Sequence, residues 1–68
     1  MANIAKVIRV IGQSEESFAD AARVAVREAG QTVRDISGAH VIEMSALVKD
    51  GDITLFRTTV DIAFGVER

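Results

Sequence analysis

The 68-residue chain has no cysteine, no proline, no tryptophan and no tyrosine, and His40 is its only histidine. Without cysteine there are no disulfides and no thiolate metal sites, and one histidine cannot build a structural zinc centre. A domain of this length buries only about 60% of the surface its unfolded chain exposes. Small domains of that kind are usually supported by disulfides, a metal or oligomerisation. Oligomerisation is what remains. An excess of positive charge is also missing: the formal net charge of −2 argues against the basic face of a nucleic-acid binder. No apolar run approaches the ~20 residues of a membrane span. The N-terminal "MANIAKVIRV" is interrupted by Lys6 and Arg9, which is unlike a signal peptide. The expectation is a soluble cytoplasmic protein with neither nucleic acid nor membrane as partner.

What is present is a globular composition, 49% hydrophobic and 26% charged, too apolar for a disordered chain. Residues 3–11, "NIAKVIRVI", are rich in β-branched side chains and predict a strand with apolar groups on both faces. Ser14 is expected to cap a helix, with Glu15 and Glu16 in its first turn. Phe18, Ala21, Ala22, Ala25, Val26, Ala29, Val33 and Ile36 then recur at steps of three and four, an amphipathic helix facing a core. Gly30 falls inside that pattern. Residues 39–49 and 52–66 predict two long strands joined by Asp50-Gly51, a strong hairpin signal.

The resulting order is β-α-β-β, an α+β arrangement. Its three-stranded antiparallel sheet has the order 1-3-2 and packs on one long helix. One helix covers one face only. The other face is expected to carry Val41, Leu47 and Leu55, mixed with Glu43, Arg57 and Asp61. A half-apolar open face on so small a domain predicts contacts with further copies. Charged groups there need partners, and the pattern suggests Arg57 with Glu43 or Asp61.

Catalytic signatures are missing. Only His40 could act as an imidazole base, and nothing near it resembles a nucleophile elbow or an oxyanion loop. It alternates with Ile42 and Met44, which places it at the end of a core face. "VKDGDIT" lacks the ligand run and closing glutamate of a calcium-binding EF loop. Gly12 stands alone ahead of the helix, so there is no phosphate loop. The chain is read as a non-enzyme.

The strand ending "VIG", followed by "QSEESFADAA", "RDISGAHVIEM", "DG" and "FRTTVDIAF", resembles the dodecins over nearly the whole chain. The best-matched pieces are Gly12-x-Ser14-x-x-Ser17-Phe18 with Ala21-Ala22, and Ala39-x-Val41-Ile42-Glu43. The resemblance implies a single dodecin-like domain over residues 1–68, assembled with itself as a homododecamer that sequesters flavin, either riboflavin or FMN. It also implies that this is a variant. Flavin-binding members carry a tryptophan, stacked on the ring system, where this chain has Gly38. A flavin-contacting glutamine position in the last strand matches Arg57. On this basis Gly38, His40, Glu43 and Arg57 are the candidate ligand-contacting residues. The alternative is a shell that has lost flavin stacking and takes another small ligand or a divalent cation. Magnesium or calcium would then sit at the carboxylates Glu43 and Asp61.

Overall fold

The computed structural model describes residues 3–67. The elements are β1 (Asn3–Ser14), α1 (Phe18–Ala29), β2 (Ile36–Lys49) and β3 (Asp52–Glu67). Both neighbouring pairs are antiparallel and the sheet order is β1-β3-β2, the order expected from the strand directions. Asp50-Gly51 forms the hairpin loop, with φ of 54° and 83°. Positive φ at both loop residues matches the twist of the flanking strands, which is why this dipeptide works there. The hairpin makes the molecule long, 55 × 19 × 13 Å. β1 ends at Ser14 opposite Phe56, so residues 47–55 project beyond it as a two-stranded arm.

The helix is shorter than its periodicity suggested, and both ends differ. Ser17, not Ser14, is the N-cap, its Oγ accepting from the Asp20 amide at 2.9 Å. Ser14 is the last residue of β1. Its hydroxyl donates to Asp20 Oδ2 at 2.6 Å and accepts from the Glu16 amide at 2.9 Å. It therefore ties the strand end to the helix start, and Glu15 and Glu16 lie before the first turn. Gly30 is the C-cap rather than an interior residue. The chain then turns, with Val33 N–H donating to Ala29 O at 2.9 Å. Ile36 still reaches the core, but from the first residue of β2. The three-four spacing ran on past Gly30 because two successive elements present apolar residues to one core.

That core lies between α1 and the covered face of the sheet: Ala21, Ala25, Ala29, Val60 and Ile62 are buried, with Ile8 and Val10 packed against them. Alanines let the helix approach closely, and Gly12 completes the fit. A Cβ at Gly12 would collide with the Ala21 carbonyl oxygen and lie 2.9 Å from the Ala25 Cβ. Buried Thr58 donates its hydroxyl to the Phe18 carbonyl at 2.9 Å, and Phe56 meets Phe18 edge to face at 4.9 Å. These contacts fix the helix start over β3.

Alternation along β2 breaks twice. Ile36 pairs with Phe64 and Gly38 with Ala63, so Ser37 is extra; Val41 pairs with Val60 and Glu43 with Thr59, so Ile42 is extra. Each β-bulge exchanges the two faces for the residues beyond it.

Candidate functional site

The open face of the sheet is assembled in cross-strand rows. Gly38 lies opposite Ala63, which lies opposite Val7; His40 opposite Asp61 and Arg9; Glu43 opposite Thr59 and Ile11; Ser45 opposite Arg57 and Gln13. All the candidate residues Gly38, His40, Glu43, Arg57 and Asp61 therefore share one face. Two expectations need correction here. His40 does not end the core face but sits on the open face across from Asp61, and Val41 does not belong to the open face but opposes Val60 on the covered side. The bulge at Ile42 causes both changes.

The expected pairing of Arg57 is also overturned. Arg9 takes Asp61, its Nε donating to Oδ1 at 2.7 Å and Nη2 to Oδ2 at 3.1 Å. Among the described residues this is the one ion pair. A two-pronged guanidinium–carboxylate bond is the strong form of such contacts. The Arg9 hydrogen bonds hold the Asp61 carboxyl below the usual carboxylate range, with Arg9 and His40 charge also acting in that direction. The same bond raises the Arg9 guanidinium, helped by the charges of Asp61 and Glu43. Arg57 is left with its Nε shielded from solvent and without an acceptor. Arg9 carried no signal of this in the sequence, because its partner lies 52 residues away and the β1–β3 register is set by tertiary packing.

The rows also separate the candidates. Gly38 faces Ala63, six residues along β3 from Arg57, or roughly 20 Å at ~3.3 Å per residue. A three-ring ligand lying at Gly38 does not reach Arg57 of the same protomer. No aromatic side chain lies on the open face: Phe56 opposes Ala46 and Phe64 opposes Ile36 on the covered side, and Phe18 is on the helix. At Gly38 a Cβ would meet only the Ala63 Cβ, at 4.0 Å. No group of three or more acidic or histidine side chains that could hold a cation gathers among the described residues. Asp61 is engaged by Arg9 and Glu43 stands in a different row. Among the described residues no helix is long and apolar enough to cross a membrane.

Residues 4–67 match the family model described as Dodecin. The chain belongs to the dodecin family. Solved dodecins share its fold. The protein from Streptomyces coelicolor superposes with a TM-score of 0.92 at 26% identity, over 97% of this chain and 94% of that one. The Streptomyces davaonensis dodecin gives 0.94 at 24% identity over 100% of both chains. A calcium-chelating dodecin from Mycobacterium tuberculosis, described with a calcium-binding site, gives 0.79 at 39% identity over 90% of this chain and 87% of that one. Comparison with curated protein sequences returned no match.

Proposed function

We propose that this dodecin is the subunit of a non-catalytic homododecamer that sequesters a small molecule between copies, on the open sheet face. The observation that carries the reading is the shared face itself. Gly38, His40, Glu43 and Arg57 lie on it together, and Val7, Ile11 and Leu47 on it are 59%, 52% and 47% exposed. Apolar side chains that a lone protomer leaves in water are stabilised when a second copy covers them. Flavin is the ligand class implied by the family. The residues present fit it only in part, because the open face offers no ring to stack on and Gly38 leaves a gap where the family's tryptophan is implied. A planar ligand here is held by aliphatic contact and by polar groups such as His40 and Glu43. Since Gly38 and Arg57 are far apart in one protomer, both reach a single ligand only when they come from different copies.

A second reading is favoured by the 39% identity to a calcium-chelating dodecin. In it a divalent cation takes Glu43 carboxylates brought together by symmetry, since hard cations need several oxygen ligands. Titration of the assembled protein with riboflavin, FMN and calcium separates the two readings. Flavin retained by the protein in equilibrium dialysis supports the first, and calcium uptake lost in Glu43→Gln supports the second. Native mass spectrometry tests the assembly, which should weigh twelve times the 7.3 kDa chain. A folded monomer at micromolar concentration refutes the reading as a whole.

A further inference from the structure

One cation on the open face has no counterion. Arg57 is half-buried in β3, and its Nε is shielded from solvent without an acceptor. Among the described residues the one ion pair joins Arg9 to Asp61, so the carboxylate two rows away is already held by two hydrogen bonds. Glu43 stands one row away, and its charge acts on Arg9. In its own row Arg57 lies between Gln13 and Ser45, both exposed and neither charged. The row beyond, Leu47 opposite Leu55, is apolar. A guanidinium drawn partly out of water and left unpaired is unfavourable until an anion reaches it.

We infer that the Gln13–Arg57–Ser45 row is an oxyanion site, and that the small molecule held on the open face carries a phosphate or carboxylate group. This rests on the sequestration reading and names the class of its ligand. Directly opposed residues of an antiparallel pair have Cβ atoms about 4.5–5.5 Å apart, so the three side chains of one row can reach a single tetrahedral group. All three donate hydrogen bonds. The planar guanidinium meets two oxygens of a phosphate or carboxylate at once, which a point charge cannot do. The leucine row alongside keeps water from one flank, and a drier setting strengthens a charged hydrogen bond. A divalent cation meets the opposite conditions here, a positive charge and no carboxylate in the row. The distance between candidates then has a use. Gly38 and Arg57 of one protomer lie roughly 20 Å apart, so the ring system and the charged group of one ligand are held by different copies. Of the two flavins, FMN carries such a group and riboflavin does not.

Equilibrium dialysis of the full-length parent against FMN, riboflavin and inorganic phosphate tests this. FMN should bind at least about tenfold more tightly than riboflavin, the effect of one hydrogen bond to a charged group. Inorganic phosphate should displace FMN and leave riboflavin in place. Arg57→Gln keeps a donor but removes the charge, and should bring the ratio of FMN to riboflavin affinity close to one. Circular dichroism and native mass spectrometry establish first that this variant folds and assembles as the parent does. Equal affinity of the parent for the two flavins, or an unchanged ratio in Arg57→Gln, overturns the oxyanion site and leaves flavin sequestration standing. A parent that retains neither flavin sinks the flavin reading instead. In that case inorganic phosphate retained by the parent and lost in Arg57→Gln supports the site as one for a free oxyanion, and phosphate not retained overturns it. Should Arg57→Gln fail to assemble, the competition on the parent decides. Phosphate that displaces both flavins alike, or neither, overturns the inference.

Discussion

Replacing Gly38 by tryptophan should create, or strengthen, flavin binding. The structure removes the usual objection to such a change. Among the described residues the only glycine with positive φ is Gly51, so Gly38 has a backbone that any side chain accepts. A Cβ there meets only the Ala63 Cβ at 4.0 Å. Gly38 also lies on β2, an edge strand of the protomer's sheet, where aromatic residues are favoured over glycine. The indole would project from the open face in the row of Val7 and Ala63, one row from His40. Stacking of a ring system on a protein aromatic contributes about 1–3 kcal/mol, which corresponds to roughly five- to hundredfold tighter binding. Riboflavin fluorescence, titrated with parent and variant, reads the change directly, since stacking quenches it. Circular dichroism and native mass spectrometry establish first that the variant folds and assembles. An assembled Gly38→Trp protein that binds riboflavin no better than the parent refutes the reasoning, and the determinants would then lie at His40 and Arg57.

Gly12→Ala should destabilise the fold by about 1–3 kcal/mol, the usual cost of overpacking, because the added Cβ meets Ala21 and Ala25; the urea midpoint checks this. The Asp61 carboxyl is held below its ordinary value by Arg9, so its contribution to stability is complete above the unfolded value of about 3.9. It is lost as pH falls through the lower folded value. Urea midpoints between pH 6 and pH 2 should therefore fall less steeply in Asp61→Asn than in the parent, and equal slopes would count against the ion pair. Arg9→Glu sets two carboxylates side by side and should lower the melting temperature. Arg57→Glu leaves the Arg9–Asp61 bond intact and should lower it less; the opposite ranking in a thermal scan would show that Arg57 is the true partner.

Much of this architecture was legible from local chemistry. Asp50-Gly51 announced its hairpin because few residues other than glycine, asparagine and aspartate adopt positive φ easily. The strand order followed from strand directions, since β3 runs opposite to both β1 and β2 and can sit between them. The helix ends were less legible, since Ser14 and Ser17 both look like caps and only the strand that ends at Ser14 decides between them. The bulges at Ser37 and Ile42 left no trace in the alternation. Each inserts one unpaired residue into β2, and the one at Ile42 put His40 and Val41 on the faces opposite to those expected. The candidates Gly38, Glu43, Arg57 and Asp61 did fall on the open face. The bond that organises that face, Arg9 to Asp61, depended on a nonlocal register that no short stretch encodes.

The central strand of this sheet is also the last to be synthesised. β1 and β2 each pair only with β3, so while the chain grows β1 has no ladder to join, and α1 has no sheet to sit on. The β-branched run Ile4–Ile11 must wait, with its backbone groups satisfied by water, until residues 56–67 arrive. Pairing over such separations is slow, because the loop must close before any contact compensates for it. The hairpin, by contrast, closes through a two-residue turn and forms within microseconds. The β2–β3 hairpin is therefore expected to form first, with β1 adding to it afterwards. Truncation from the end removes the template for the beginning: a nascent chain stopped before residue 56 holds β1 and α1 in sequence but not in structure.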